Sequence, residues 1–183
     1  MAVAVALVLA AAFGAGDQYL GSLSMHPWAA DVSLLSAPWL VLPFLAGWTQ
    51  RSSRRAILLG LACTASALVG YGLMTLSPVE NAHLTARSVA ALAHSEARVI
   101  VGGLFTGPLF GWFGQRWRTE RAWIGALAAA AAVCLEPLAR TQAGSAIRFR
   151  AVWTAELAVG LAMSIYVLAA ARRAAATPRD GRA

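Results

Sequence analysis

The sequence contains no lysine, and only 13% of its 183 residues are charged. All 15 basic residues are therefore arginines, and with 8 acidic residues they give a formal net charge of +7. Soluble domains carry about 25% charged residues, so this composition excludes an ordinary soluble protein. The arginines cluster beside apolar runs, which argues against nucleic-acid binding and is typical of residues that set membrane orientation.

Sequence patterns for metal and phosphate binding are also missing. Cys63 and Cys134 lie inside apolar runs, where a thiol behaves as a small hydrophobe and builds neither a disulfide framework nor a zinc site. There is no glycine-rich phosphate loop, no Cys-x-x-Cys and no His-Glu-x-x-His. The paired Asp-rich motifs of magnesium-dependent intramembrane prenyltransferases are missing as well. We therefore expect neither a metal nor a cofactor.

Apolar residues are abundant instead, since 59% of the chain is hydrophobic. Six apolar runs approach the roughly 20 residues that one bilayer crossing needs: 2–20, 32–48, 56–77, 99–114, 122–138 and 151–171. We interpret the first run as a helix, because no basic residue precedes it as in a signal peptide. The sequence predicts an all-α polytopic bundle of six transmembrane helices in residues 1–171. A basic cytoplasmic tail, expected to be disordered, follows in residues 172–183.

The arginines predict the orientation of this bundle. Clusters follow the second, fourth and sixth runs: Arg51, Arg54, Arg55, Arg116, Arg118, Arg121, Arg172, Arg173, Arg179 and Arg182. The positive-inside rule makes these connections cytoplasmic, so both termini lie inside a multi-pass protein of the cell membrane. Arg140, Arg148 and Arg150 fall on the opposite side. They either bind an anion or pair with lipid phosphates of the outer leaflet.

Residues 78–98, on the outer side, are too polar to cross a bilayer and predict a short surface helix, which serves either as a lid or as a plain connector.

Two prolines lie inside the second apolar run. Pro38 and Pro43 each remove a backbone donor and leave a carbonyl free about one turn earlier. Because lipid cannot satisfy such a carbonyl, we expect a neighbouring helix or a polar cavity to do so, with space opening between the helices.

Three carboxylates within or beside apolar runs are the strongest functional signal, because a charge deep in a bilayer costs several kcal/mol. With about 1.5 Å rise per residue, Asp17, Glu136 and Glu156 all reach the outer half of the bundle. Polar and aromatic residues share this level: Gln18, Tyr19, Trp39, Tyr71 and Trp153. Apolar surroundings favour the neutral form of a carboxyl. We therefore predict the three acids as catalytic residues, one donating a proton, and the other five as substrate-binding residues.

A structural interpretation of the same residues stays open. In it, Glu136 and Glu156 pair with the outer arginines, and Asp17 merely ends the first helix. Trp28 and Trp153 would belong to an aromatic belt at the membrane interface. Trp39 alone lies too deep for such a belt.

Several short segments carry a family likeness: Gly16-Asp-Gln-Tyr-Leu20, Ser36-Ala-Pro-Trp39, Phe44-Leu-Ala-Gly47, Gly70-Tyr-Gly72, Gly107-Pro-Leu-Phe-Gly-Trp112 and Glu136-Pro-Leu138. Over nearly the whole chain they resemble a family of actinobacterial integral-membrane proteins, domain of unknown function 6518. That resemblance implies a membrane bundle and no assigned activity. More loosely, the chain is similar in architecture to small bacterial membrane-bound terpene cyclases, whose embedded carboxylates act as acids. By position, only Asp17, Glu136 and Glu156 correspond to such acids here.

Together these features favour a metal-independent, acid-initiated cyclase acting on an isoprenoid or a prenylated natural product. Its partners would be a hydrophobic small molecule and the lipid bilayer, without nucleic acid. One alternative is a small-ligand-binding membrane module, similar in size to the substrate-capture subunits of vitamin transporters. Another is a structural membrane partner without chemistry. A closed apolar cavity with one acid favours the first, an open vestibule rich in donors the second, and a solid bundle the third.

Overall fold

A computed structural model describes residues 2–23, 25–142, 144 and 147–176. Within these ranges the chain is helical and contains no strand. The helices are α1 (Ala2–Ser22), α2 (Pro27–Ser33), α3 (Ala37–Trp48), α4 (Ser53–Thr75), α5 (Ala86–Ser95), α6 (Ala97–Glu120), α7 (Trp123–Gln142) and α8 (Arg150–Ala176). The predicted all-α class is confirmed. Of the expected basic tail, residues 172–176 continue α8, and residues 177–183 lie outside the described residues.

Four helices are long and apolar enough to cross a membrane: α1, α4, α7 and α8. The pair α2 and α3 meets the same criterion as one span, although it is bent by 47° at its break. By length and composition, four to five spans among the described helices are therefore able to cross a membrane. The remaining long helix, α6, does not meet this criterion, and its last turns are polar, Gln115-Arg-Trp-Arg-Thr-Glu120.

The break between α2 and α3 corrects the expectation of one continuous helix over residues 32–48. Pro38 has no N–H to donate to the carbonyl of Leu34, four residues earlier, so the helical hydrogen-bond ladder is interrupted there. The chain begins a new helix at Ala37, with Pro38 in its first turn, where proline is tolerated because that N–H would have no helical partner. The break thus leaves unpaired backbone groups that other helices must satisfy.

Small residues bring α1, α3, α4 and α6 into close contact. The buried cluster shared by α1, α3 and α4 contains Ala10, Ala46, Leu59, Cys63 and Ala67. Where α3 crosses α6, a Cβ on Gly47 would overlap the backbone carbonyl of Gly111. Such close approach is how membrane helices gain packing energy, since lipid gives no hydrophobic drive to associate. The α7–α8 hairpin packs mainly on itself and meets the other helices near its two ends.

Successive long helices alternate in direction, so their ends form two layers. We call one layer the acidic end, because it carries the acidic residues Asp17, Asp31, Glu80, Glu96, Glu136 and Glu156. At this end α1, α4 and α7 finish, and α3, α6 and α8 begin. The opposite layer is the basic end, with Arg51, Arg54, Arg55, Arg116, Arg118 and Arg121.

Replacing Gly47 by alanine is expected to lower the free energy of unfolding by about 1–3 kcal/mol, because the new methyl group meets a backbone carbonyl that has no room to move. The matched control is Gly16→Ala on α1, where a Cβ meets nothing within 4 Å. Equilibrium unfolding in mixed detergent micelles measures both. Equal stability of the two variants would contradict the close crossing of α3 and α6.

Candidate functional site

A cavity of about 620 Å³ opens at the acidic end, between α1, α3, α4 and α6. Most of its lining is apolar, including Leu40, Leu68, Val69, Val99 and Ile100. Its polar lining includes Asp17, Ser33, Ser36, Tyr71, Glu96, Thr106 and Arg140. Small-molecule pockets span about 300–1,000 Å³ and combine apolar walls with a few polar groups. By size and lining, this cavity is therefore a candidate ligand site.

Asp17 faces the cavity from α1. The indole Nε1 of Trp39 donates to its Oδ2 at 3.3 Å. The Trp39 ring packs edge-on against Phe13, with centroids 5.3 Å apart, and against Tyr71 at 6.3 Å. The structure thus brings together Asp17, Trp39 and Tyr71, which the sequence places at one level. The alternative that Asp17 ends the first helix is wrong, because α1 continues to Ser22.

The other predicted substrate-binding residues do not line this cavity. Tyr19 is 45% exposed, and Gln18 is half-buried on the same helix. Trp153 is buried in α8, where its Nε1 donates to Asp31 Oδ2 at 2.9 Å. Although the sequence places these three side chains at the level of Asp17, they do not point into the cavity.

Glu136 of α7 closes the break between α2 and α3. Its Oε1 accepts the N–H of Ser36 at 2.7 Å, and its Oε2 accepts the N–H of Ala37 at 2.9 Å. These are among the first amides of α3, which carry no helical partner and attract negative charge. The carboxylate therefore serves as the missing acceptor at the start of that helix.

Arg140, one turn further along α7, supplies the missing donor. Its Nη2 donates to the carbonyl of Leu34, which Pro38 leaves free. Its Nε donates to Glu136 Oε1 at 3.0 Å, forming an ion pair. The predicted rim pairing is thus confirmed for Glu136, and the predicted satisfaction of the proline-freed carbonyl by a neighbouring helix is confirmed as well. Arg140 also lines the cavity, so the break and the cavity share one guanidinium.

Asp31 of α2 binds the backbone amides that precede α8, as Glu136 of α7 binds those at the start of α3. Sequence analysis did not identify this residue. This side chain is fully buried. Its Oδ2 accepts the N–H groups of Arg148 at 3.1 Å and Phe149 at 2.6 Å, directly before α8 begins. Its sequence context gives little signal, because Asp31 lies before an apolar run and its partners come more than a hundred residues later.

Glu156 has a different environment from the other two predicted acids. It is 6% exposed, and neither carboxyl oxygen has a hydrogen-bond donor in the described part of the chain. It does not line the cavity and lies instead at the contact between α8 and the Glu136–Arg140 turn of α7. It forms no ion pair with the described outer arginines.

Helix α5 covers the cavity from the acidic end. Leu92 of this helix lines the cavity, and so does Glu96, which directly follows the helix. The helix begins with a capping box in which Thr85 and Ser88 satisfy each other's backbone N–H groups. The short surface helix expected in residues 78–98 is therefore confirmed. Across the described residues, no three His, Cys, Asp or Glu side chains are arranged to hold a metal ion.

Glu136→Gln is expected to lower the free energy of unfolding by about 3 kcal/mol, because Arg140 loses its buried anion and two amides lose a charged acceptor. The matched control is Glu120→Gln, which removes an exposed pair with Arg116 at 2.5 Å. Such surface pairs contribute about 0.5 kcal/mol. Unfolding titrations of both variants check the difference, and similar losses would speak against a structural role of Glu136.

Comparisons of the chain with protein-family models, with curated proteins and with solved structures each find no match. The resemblances described above therefore stay predictions.

Proposed function

We propose that the protein crosses the cell membrane six times with both termini in the cytoplasm. Five crossings correspond to α1, α4, α7, α8 and the bent pair α2–α3. The sixth would be α6, whose 24 residues match the 23 of α4. Its Gly107 and Gly111 approach the backbone of α4, and its polar Gln115 is buried rather than facing lipid. The arginines of the basic end support its cytoplasmic position.

We further propose that the cavity takes an isoprenoid or a prenylated compound and that Asp17 donates the proton that starts its cyclisation. The supporting observation is the position of Asp17, whose carboxyl faces a largely apolar cavity of about 620 Å³. Among the described side chains it has one hydrogen-bond donor, the indole of Trp39. An acid with so few partners keeps its proton available to a substrate.

The reaction would proceed without a redox step. The O–H bond of Asp17 breaks as its proton adds to an alkene carbon or an epoxide oxygen, leaving a carbocation in the substrate. The π-electrons of a second alkene close the ring, and the faces of Trp39 and Tyr71 stabilise the moving positive charge by about 2 kcal/mol when desolvated. The final proton returns to the Asp17 carboxylate, which restores the acid. The net change is an isomerisation.

Glu136 and Glu156, the other predicted catalytic acids, lie outside the cavity lining. Glu136 is occupied by two amides and a guanidinium. Of the three predicted acids, Asp17 alone lines the cavity, and we therefore assign proton donation to it.

A small-ligand-binding module is the second candidate, and the break between α2 and α3 favours it. Residues 33–36 at this break line the cavity together with Arg140. In secondary transporters, interrupted helices commonly form the substrate site. In this alternative the cavity would capture an amphipathic molecule, with its polar end at the break, and release it unchanged. A purely structural partner, the third alternative, gives no reason for a cavity of this size.

Asp17→Asn is expected to reduce turnover by about 10²–10⁴-fold, the usual contribution of a general acid, while substrate binding persists. Membranes carrying the protein would be supplied with prenylated and epoxidised compounds, and products identified by mass spectrometry and NMR. The control on the same helix is Tyr19→Phe at an exposed position. Full turnover by the Asn variant contradicts the acid mechanism, whereas binding without product in the wild type favours the capture module.

The six-span topology predicts opposite accessibilities for the two ends of α6. In a variant with Cys63 and Cys134 replaced by alanine, a cysteine at the exposed position Asn81 should react with an impermeant maleimide in intact cells. A cysteine at Arg121 should react only after lysis, as should a control cysteine at Ser52. Reaction of the Asn81 and Arg121 positions from the same side would rule out a crossing by α6.

A further inference from the structure

A buried carboxyl outside the cavity has no role in the proposed reaction. Glu156 lies in the second turn of α8 and is 6% exposed, with both oxygens buried and no donor in the described part of the chain. An ionised carboxylate in such surroundings is strongly disfavoured, because neither water nor a protein donor stabilises its charge. The geometry therefore requires either a proton or another cation on this group.

Arg140, one turn after Glu136 on α7, lies 5.5 Å from the ring centre of Trp153, which is about one turn before Glu156 on α8. This register places the carboxyl of Glu156 beside that of Glu136. That group already accepts the N–H of Ser36 at 2.7 Å, the N–H of Ala37 at 2.9 Å and the Nε–H of Arg140 at 3.0 Å. A helix start and a guanidinium both favour the ionised form of Glu136. Two ionised carboxylates only accept hydrogen bonds, so the pair can be hydrogen-bonded only when Glu156 carries a proton and donates it to Glu136.

We propose that Glu156 and Glu136 form a proton-binding site at the junction of α3, α7 and α8. The ligand is a single proton, which resides on Glu156 and is shared with Glu136 through an O–H···O hydrogen bond. This bond connects α8 to the same carboxylate that closes the break between α2 and α3. Through Arg140, which lines the cavity, the site also adjoins the ligand site.

The other ionisable groups nearby do not compete for this position. Arg140 is directed to Glu136, Leu34 and Ser36, and its guanidinium lies 5.5 Å from the centre of the Trp153 ring. Asp31 on α2 is held by the chain before α8 and by Trp153. Cys134, two residues before Glu136 on α7, lies against Gly160, one turn beyond Glu156 on α8. None of the three donates to Glu156.

Infrared spectroscopy of the protein in lipid bilayers tests the proposal. At neutral pH the wild type should show a carbonyl stretch of a protonated carboxylic acid that shifts in D₂O and disappears in Glu156→Gln. The same band should persist in Glu120→Gln, the exposed control, and in Asp17→Asn, which separates any contribution from the cavity acid. If no such band is lost in Glu156→Gln, the proton site is refuted. If Glu156 instead shows a carboxylate band that changes when sodium is exchanged for choline, the group binds a cation and not a proton.

Stability provides a second measurement that does not depend on assigning a band. Glutamine has nearly the shape of protonated glutamic acid and can donate to Glu136 through its amide, so Glu156→Gln should unfold at the same temperature as the wild type. Glu136→Gln should unfold at a lower temperature, because that position needs a charge. Equal destabilisation by both variants would overturn the proposal. Since turnover is not measured, failure here leaves the assignment of Asp17 in the cavity unaffected.

Discussion

A hydrocarbon environment provides no hydrogen bonds, so every interruption of a membrane helix must be satisfied by another part of the protein. Two helix starts at the acidic end, those of α3 and α8, leave such unpaired backbone groups in this chain. The amides that begin α3 are bound by Glu136 from α7, and the amides that precede α8 are bound by Asp31 from α2. The bent pair α2–α3 and the hairpin α7–α8 therefore complete each other. In each pair, the backbone amides at one helix start are bound by a carboxylate of the other pair.

This reciprocal pairing also accounts for the position of the cavity. Toward the basic end, α3 and α6 are in close backbone contact where they cross. At the acidic end, α2 and α3 are bent by 47°, and the residues of the break line the opening. Arg140 belongs both to the break and to the cavity, because it donates to the carbonyl of Leu34 and also lines the cavity. A ligand that contacts this guanidinium would therefore act directly on the contact between the two helix pairs.

The sequence predicts depth in the bundle much better than direction around it. A fixed rise per residue is enough to place Asp17, Trp39 and Tyr71 at one level, and the absence of an N–H in Pro38 is enough to predict a free carbonyl. Direction around a helix is normally inferred from a polar face, and helices that contact lipid on one side and apolar neighbours on the other have none. For this reason Glu136 and Glu156 could be placed near the cavity in depth but not excluded from it. The partners of Asp31 lie more than a hundred residues away in sequence, and no local pattern indicates them.

The three acids that share a level differ in the donors that surround them, and this difference determines what each can do. Glu136 has two amides and a guanidinium, so its charge is fully used in holding the backbone. Asp17 has one indole and a largely apolar cavity, which fits the proposed role of its carboxyl as a proton donor to a ligand. Glu156 has no donor in the described chain and rests against another carboxylate, so a proton is the simplest group that completes it. Where water is excluded, the chemistry of a carboxyl thus follows from the count of its hydrogen-bond donors more than from its depth.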